Sequence, residues 1–400
     1  MHKKVLLILL ACLLALALMI TGCAGTDDVS DDTSSVSTDD AADVIKIGAN
    51  YELSGAVATY GADSLKGFLM AIDEINENGG VLGKKLEVIT KDNKSDPAEA
   101  TAAAEVLMTQ DNVVLSVGPA TSGNFRAVIP VAEANRIPVI SSSATADDDI
   151  TVDKNGEVRS FVFRTCFTDS FQGRVMANFA SERLDATSAV IFADNSSDYA
   201  KGLAANFKEQ FEDNGGTIVD EQAYVAGDKD FNAVLTSLRG QDFDVLYVPG
   251  YYEEVGPIIR QARELGIDVP ILGGDGFSSP ELVQLAGEEN ATNIYYSDHA
   301  SGLDESAVLS EWLEKYAALN NGGEPNSAFV AMGYDMGMYV ADAIERAGSA
   351  DSEEIAKALS STTKFEGVTG SFSVDENHNV VKSAVVVKLE NGVEVSAERF

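Results

Sequence analysis

Short apolar strands alternate with amphipathic helices along most of this chain, and this alternation limits the possible folds more than any other feature. The segment 44–50 is typical of a buried strand, and 60–78 carries Phe68, Ile72 and Ile75 on one helical face at three- and four-residue spacing. A strand that is followed by a helix of this length can return to its sheet in the same direction. The pattern therefore favours parallel sheets that are covered on both faces.

The alternation occurs in two successive runs. The first run predicts strands and helices, in turn, at 44–50, 60–78, 85–91, 97–110, 113–118, 121–135 and 137–141. The second run predicts helices and strands, in turn, at 170–184, 189–194, 199–214, 217–224, 230–239, 244–250, 253–265, 269–273 and from 279 onward. Two such runs predict an α/β protein with two Rossmann-like lobes.

The C-terminal part has a different order of elements. A strand at 293–297 precedes two helices, 306–319 and 327–347, with no strand between them. The β-rich ending 380–389 is expected to form a hairpin with 370–374. This order predicts that the chain returns to the first lobe and finishes in the second.

The N-terminus has the layout of an export signal. Lys3 and Lys4 precede an apolar run at 5–20, which ends in small residues before Cys23. The small-small-Cys ending resembles the lipobox of bacterial lipoproteins, which implies a signal peptide at 1–22, cleavage before Cys23 and lipid attachment to Cys23. A retained transmembrane helix is the alternative, but the run is shorter than the ~20 apolar residues that a bilayer requires.

The segment 23–43 that follows is rich in Asp, Ser and Thr and has no Lys, Arg or aromatic residue. Such a segment cannot bury enough apolar surface to fold, so we expect a disordered acidic linker. A flexible chain of about 18 residues spans roughly 20–25 Å. Once Cys12 is removed and Cys23 is acylated, Cys166 is the remaining thiol, which excludes an intrachain disulfide.

Charge and motifs exclude several classes of function. The chain has 28 Lys and Arg against 64 Asp and Glu, a net charge of −36, which argues against binding to nucleic acid. No HExxH, no G-x-S-x-G and no cluster of His or Cys with metal-ligand spacing is present. We therefore expect no enzymatic activity, no cofactor and no metal, although a calcium site at 147–149 remains an alternative to a solvated acidic loop.

Polar residues follow several of the predicted strands, and ligands of open α/β sheets bind at the carboxyl ends of strands. Thr121 and Ser122 follow one strand at the start of a helix, where hydroxyls and free N–H groups can hold a carboxylate. A second hydroxyl cluster, 141–145, follows the next strand. Strands of the second run are followed by tyrosines, among them Tyr199, and by the acidic residue Asp275.

This distribution matches the two charges of a zwitterion. Donors in one lobe suit the carboxylate of an amino acid, and a carboxylate in the other lobe suits its ammonium group. Each residue also has a purely structural interpretation. Ser122 can be a helix N-cap, Asp275 can be a turn residue between glycines, and a tyrosine after a strand can be half-buried packing.

Residues 44–400 resemble the type I periplasmic binding proteins, and within them the branched-chain amino acid binding proteins of ABC transporters. The matching stretches, in order, are Leu53-Ser54-Gly55, Tyr60-Gly61, 71–76, Gly79-Gly80, Lys91-Asp92, 163–165, Asp169, Gln172-Gly173, 199–202, 228–231, 250–252, Gly266 and 274–276. The resemblance implies two lobes joined by a hinge of three crossings, near 165–168, 297–300 and 369–372. It divides the chain into an N-terminal lobe of 44–166 plus 299–370 and a C-terminal lobe of 167–298 plus 371–400.

The resemblance also implies roles for individual residues. The carboxylate-binding hydroxyls fall on Ser122 and Thr145, assisted by the backbone at Ser143. The acceptor for the ammonium group falls on Asp275, where many relatives have Glu. The shorter side chain leaves room for a bridging water or for a different ligand. Aromatic walls of the same site fall on Tyr60, Tyr199 and Tyr251.

The function implied is capture of an amino acid, in particular a branched-chain or aliphatic one, and its delivery to the permease subunits of an ABC importer. The lipid at Cys23 is expected to hold a monomeric binding protein at the outer face of the cell membrane. Two alternatives remain at this point. The same fold can bind an amide, urea or an aromatic acid, or it can act as a ligand sensor for a receptor.

Overall fold

The computed structural model describes residues 44–400. The predicted signal peptide 1–22, the predicted lipidation site Cys23 and the predicted linker 23–43 lie outside the described residues. In the described part of the chain, no helix is long and apolar enough to cross a membrane.

The first sheet contains five parallel strands in the order β2-β1-β3-β4-β5. Its strands are β1 (Val44–Tyr51), β2 (Lys85–Asp92), β3 (Leu115–Val117), β4 (Val139–Ser141) and β5 (Val162–Arg164). Its helices are α1 (Ala58–Glu77), α2 (Pro97–Thr109) and α3 (Ser122–Asn135). The three short strands β3, β4 and β5 are buried along their whole length, as expected for a parallel sheet covered on both faces.

The second sheet contains seven strands in the order β15-β14-β10-β9-β8-β6-β7. Its strands are β6 (Ser188–Asp194), β7 (Thr217–Tyr224), β8 (Val245–Tyr247), β9 (Ile271–Gly273), β10 (Ile294–Asp298), β14 (Val385–Glu390) and β15 (Val393–Arg399). Its helices are α4 (Asp169–Arg183), α5 (Asp198–Asp213), α6 (Asn232–Leu238), α7 (Tyr252–Glu264) and α8 (Pro280–Ala286). All of its pairs are parallel except those of β14 with β10 and β15.

The predicted α/β architecture with two parallel sheets is confirmed. The remaining helices are α9 (Ala307–Leu319), α10 (Ala328–Ala347) and α11 (Ser352–Ser360), and a small antiparallel sheet contains β11 (Phe365–Gly367), β12 (Gly370–Val374) and β13 (Val380–Val381). Helix α10 packs directly against α1. A Cβ at Gly67 or Gly333 would clash with a backbone carbonyl of the other helix, so close packing requires glycine at both positions.

The predicted C-terminal hairpin is only partly right. β13 pairs with β12, but Val385–Glu390 pairs with β10 and β15 instead. The chain therefore changes sheet for the last time between β13 and β14, later than the crossing expected near 369–372. Thr369 is held by the buried Asp335 of α10, whose carboxylate accepts from its N–H at 2.9 Å and from its hydroxyl at 2.6 Å. Phe372 packs on Tyr339 of the same helix, with ring centroids 5.2 Å apart.

Cys166 is buried just after β5. Burial raises the pKa of its thiol to about 12, so the thiolate form is scarce at neutral pH. This agrees with a structural rather than a reactive cysteine.

Replacement of Gly333 by Ala tests the contact between α1 and α10. The new methyl group would meet the carbonyl of Ser64 and force the helices apart. Overpacking of this kind costs about 1–3 kcal/mol of unfolding free energy. Gly302→Ala is the matched control, because a Cβ there meets open space and should change stability by less than ~0.5 kcal/mol. Equal denaturation midpoints for the two variants would contradict the proposed contact.

Candidate functional site

The strand orders determine where a ligand can bind. In the first sheet the order reverses between β1 and β3, and in the second sheet between β6 and β8. Ligands of open α/β sheets bind at such switch points, outside the carboxyl ends of the strands, because the adjacent connections run to opposite faces and leave a crevice. Glu52 follows β1 and Thr121 follows β3, while Tyr199 and Tyr251 follow β6 and β8.

A small cavity of about 10 Å³ lies between these strand ends. Its walls come from α1, α5, α10 and the segments that follow strands of both sheets. The lining residues are Tyr60, Ala120, Thr121, Ser143, Tyr199, Tyr251, Asp275, Gly276 and Phe329. Five of the seven predicted binding residues are in this set. The volume holds about one water molecule, so the arrangement is closed and a larger ligand requires the cleft to widen.

The other two predicted residues, Ser122 and Thr145, do not line the cavity. Both are buried behind it. The Ser122 hydroxyl accepts a hydrogen bond from the N–H of Ala146 at 3.1 Å. The Thr145 hydroxyl lies beside the buried carboxylate of Asp169, whose pKa is raised by burial and lowered in part by its hydrogen bond with Thr145. Thr145 therefore already faces an acceptor within the protein.

Asp275 lies at the first position of a 3₁₀ turn, Asp275–Phe277, directly after β9, and only 3 % of its surface is exposed. Its Oδ1 accepts a hydrogen bond from the Tyr199 hydroxyl at 2.8 Å. Its backbone N–H donates to Gln172 at 3.1 Å. These contacts hold a carboxylate against the cavity and leave part of its accepting capacity unused.

Four aromatic rings line the cavity. Tyr199 and Tyr251 stack with centroids 5.2 Å apart and an interplanar angle of 1°. Tyr60 packs edge-on against Tyr251 and stacks on Phe329 at 4.7 Å. Burial raises the pKa of the Tyr60 and Tyr199 hydroxyls well above the ordinary value, so both remain neutral donors at physiological pH.

Sequence reasoning missed Glu52, which follows β1 in the chain. Its side chain is fully buried next to the segment that precedes α3. Its carboxylate accepts from the N–H groups of Ala120 and Thr121 at 3.0 and 3.2 Å. It also accepts from the Thr121 hydroxyl at 2.8 Å and from the Asn124 amide at 2.9 Å. The expectation that the N–H groups before α3 are free for a ligand carboxylate is therefore wrong for these two residues. The sequence feature that could have identified Glu52 as a residue of the cleft is its position directly after β1.

Sequence reasoning placed Thr121 among the candidate carboxylate-binding residues, but it did not single out Ala120, Gly276 or Phe329, which also line the cavity. Phe329 comes from the first turn of α10, far along the chain from the strand ends. No local pattern distinguishes it from a core phenylalanine, because only the packing of α10 beside α1 brings it to Tyr60.

Polar contacts join the two sides of the cleft. The Tyr60 hydroxyl of α1 donates to the carbonyl of Gly276 at 2.5 Å and accepts from the N–H of Tyr252 at 3.3 Å. At another point of the cleft, Arg126 of α3 forms an ion pair with Asp198, the first residue of α5. These contacts link helices that cover different sheets, so they hold the cleft closed.

Residues 44–400 contain no group of three or more His, Cys, Asp or Glu side chains arranged to hold a metal ion. The acidic residues at 147–149 therefore do not form such a group. Asp147 instead accepts hydrogen bonds from the N–H and the hydroxyl of Ser170, at 2.7 and 2.8 Å.

Comparison with known proteins identifies the family to which this architecture belongs. The sequence profile of the periplasmic binding protein family matches residues 44–394. The leucine-, isoleucine-, valine-, threonine- and alanine-binding protein of Pseudomonas aeruginosa is 33% identical over 337 residues, 84% of this chain and 87% of that protein. The chain belongs to the periplasmic binding protein family, whose members are binding proteins, and this membership implies export.

Two solved structures are similar over the whole described fold. The branched-chain amino acid transporter substrate-binding protein of Streptococcus pneumoniae, in complex with isoleucine, superposes with a TM-score of 0.83. It is 45% identical, and the match covers 89% of this chain and 99% of that one. A leucine-binding protein of Thermotoga maritima has a TM-score of 0.81 at 33% identity, with 89% and 98% covered. The expected type I binding protein fold is confirmed.

Replacement of Glu52 by Gln tests the carboxylate at the start of α3. The amide keeps the size of the side chain but puts an NH₂ group against N–H donors, which leaves buried donors unpaired. We expect the free energy of unfolding to fall by about 2–3 kcal/mol, measured by chemical denaturation. Glu77→Gln, at the exposed end of α1, is the control and should be neutral. If both variants were neutral, Glu52 would not stabilise this loop.

Proposed function

We propose that this protein binds a branched-chain aliphatic amino acid between its two sheets and delivers it to the membrane subunits of an ABC importer. The observation that carries the proposal is the placement of the buried carboxylate of Asp275 across one cavity from the hydroxyl-rich segments 119–122 and 141–145. The relatives named above, which bind leucine, isoleucine or valine, support the choice of ligand.

The ammonium group of the ligand would meet Asp275. A charge-assisted hydrogen bond to a buried carboxylate is among the stronger single contacts in a binding site. An aromatic acid would place a second negative charge beside Asp275, and a neutral amide or urea would leave that buried carboxylate without a counter-charge. The amino acid is therefore favoured over both alternatives.

The carboxylate of the ligand would meet Ser143 and, once the cleft widens, Ser122 and Thr145. The N–H groups of the first turn of α3 have no helical acceptor and point toward the same region. The helix dipole adds a favourable potential for an anion there. Glu52 would hold this loop in place while the ligand carboxylate binds beside it.

The side chain of the ligand would pack against aromatic rings. Tyr60, Tyr251 and Phe329 offer apolar ring surface, and burial of an aliphatic side chain contributes about 1.5–3 kcal/mol. No lysine or arginine is among the residues that line the cavity within the described chain. An acidic amino acid would have no counter-charge for its side chain, so we expect it to be rejected.

Binding would require hinge motion. A cavity of about 10 Å³ cannot hold a leucine side chain, so the sheets must separate for entry and close again. The Tyr60 contact with Gly276 and the ion pair between Arg126 and Asp198 would break and reform in this cycle.

The setting of this activity is also part of the proposal. A signal peptide at 1–22 and a lipid on Cys23 would anchor the protein at the outer face of the membrane. The acidic linker would let a monomeric binding domain reach its permease. A lipid anchor is most useful to a bacterium without an outer membrane, where a free binding protein would diffuse away.

Titration calorimetry of the purified protein against the twenty amino acids tests the ligand. We expect leucine, isoleucine or valine to bind and aspartate and glutamate not to bind. Asp275→Asn should weaken binding by about 2–4 kcal/mol, a roughly 30- to 1000-fold loss, because the ligand ammonium loses its counter-charge. Asp230→Asn, which changes an exposed residue, is the control. Binding of none of the twenty would refute the proposal, and unchanged affinity in Asp275→Asn would remove that residue from the site.

Replacement of Arg126 by Ala tests whether the ion pair with Asp198 keeps the cleft closed. The pair is partly exposed, so its loss should raise the dissociation rate of the ligand about 2- to 5-fold and leave the association rate nearly unchanged. Stopped-flow kinetics measure both rates. Arg136→Ala breaks an ion pair with Glu353, which lies on one side of the cleft, and should leave both rates unchanged. Equal dissociation rates in the two variants would contradict the closing role.

A further inference from the structure

We propose that His299 is a positioning residue for Asp275, the acceptor of the ligand ammonium group. Its neutral imidazole donates Nε2–H to the Asp275 carboxylate and fixes that carboxylate against the hinge. The inference rests on the proposed function, because it assigns a role to a side chain behind the proposed binding residue. His299 is not among the residues that line the cavity.

His299 lies where the chain leaves β10, and its side chain is completely buried. Its Nε2 is 3.4 Å from Oδ2 of Asp275. Neither ring nitrogen makes a hydrogen bond of ordinary geometry within residues 44–400, and the Nε2 contact with Asp275 is the one polar side-chain contact that approaches it. The imidazole is best satisfied when Nε2 carries the proton and faces the carboxylate.

The ring of His299 is fixed from the other side by Phe167. The two rings are nearly parallel, at an angle of 8°, with centroids 3.7 Å apart. Phe167 belongs to the segment between β5 and α4, where the chain passes from the first sheet to the second, and His299 begins the segment where it returns. The imidazole is therefore held between two of the connections between the sheets, and it touches the acceptor.

The two oxygens of Asp275 are held by different donors. The Tyr199 hydroxyl donates to Oδ1 from the start of α5, and His299 faces Oδ2 from the end of β10. A carboxylate can accept about four hydrogen bonds, so both oxygens keep capacity for the ligand. Two donors on opposite sides restrict rotation of the carboxylate, which lowers the entropic cost of binding an ammonium group.

The charge state of the imidazole decides whether His299 favours or opposes binding of the ammonium group at Asp275. The pKa of His299 is lowered to about 4, because burial, together with the nearby Lys382, outweighs the opposing effect of Asp275. At neutral pH the ring is therefore uncharged. An imidazolium would neutralise Asp275 and compete with the ammonium group.

The separation of 3.4 Å is longer than an ordinary N–H···O hydrogen bond of 2.7–3.2 Å. Hydrogen bonds of binding and catalytic groups are often long in one state and shorten in the complex. The inference therefore includes a direction of change, in which binding of the ligand at Asp275 shortens the contact with His299.

Nitrogen NMR of the histidine side chains tests the proposal directly. The chain has three histidines, one of which is His2 in the predicted leader, so His299 and His378 are the two in the described residues. We expect His299 to be the Nε2–H tautomer, to stay neutral down to about pH 5, and to shift when leucine is added. We also expect its signal to shift in Asp275→Asn without any ligand.

His378 is the internal control. It stacks on Phe163 and its Nδ1 lies 3.3 Å from the carbonyl of Val162, away from the cavity. Its signals should not respond to leucine or to Asp275→Asn. A His299 signal with an Nδ1–H tautomer, or one insensitive to Asp275→Asn, would overturn the proposal whether or not leucine binds.

Two variants of His299 separate positioning from packing. His299→Gln keeps a donor close to the place of Nε2, and His299→Leu keeps the volume without a donor. We expect leucine affinity to fall at least ~10-fold in His299→Leu and less than ~3-fold in His299→Gln, with both variants folded by circular dichroism. Equal losses in the two variants would indicate packing alone and refute the positioning role. Absence of leucine binding in the unmodified protein would instead refute the proposed function, and the NMR result in Asp275→Asn would still test the contact.

Discussion

The carboxylate of Asp275 is the constraint on which the rest of the cleft depends. It is 3 % exposed, and within residues 44–400 no lysine or arginine lies within ion-pair distance of it. A buried charge without a cation is costly unless hydrogen bonds stabilise it. The Tyr199 hydroxyl supplies such a bond to Oδ1, Gln172 accepts from the backbone N–H of Asp275, and His299 lies near Oδ2. In the proposed function, a cationic ligand would complete this set.

Glu52 is a second buried carboxylate in the same cleft. Comparison of Glu52 with Asp275 shows how the hydrogen-bond donors around a buried carboxylate decide its role. Glu52 accepts hydrogen bonds from two backbone N–H groups, a hydroxyl and an amide, so its accepting capacity is used within the protein. Asp275 accepts one close hydrogen bond from a side chain, so part of its accepting capacity is unused. The first carboxylate shapes the loop before α3, and the second is the proposed acceptor for a ligand.

In the proposed function, closure of the cleft and recognition of the ligand involve the same elements. Tyr60 lines the cavity and also donates a hydrogen bond across it to Gly276, the residue after Asp275. His299 and Phe167 belong to two of the connections between the sheets, and they meet directly behind Asp275. A change in the angle between the sheets must therefore move the groups around the acceptor, and occupation of the acceptor must favour one angle.

The sequence by itself determined the class of fold, most element positions and, from their places after strands, four of the five predicted binding residues that line the cavity, because long periodic segments and strand ends are local features; Tyr60 came from the family resemblance. It did not determine β5, which follows β4 without an intervening helix and so falls outside the alternation, or the partner of Val385–Glu390, because pairing with β10 is a contact between distant segments. Only the tertiary structure brought Glu52, Phe329 and His299 to the cleft. Each comes from a different segment, and its role follows from which charges and rings surround it after burial, which spacing along the chain does not encode.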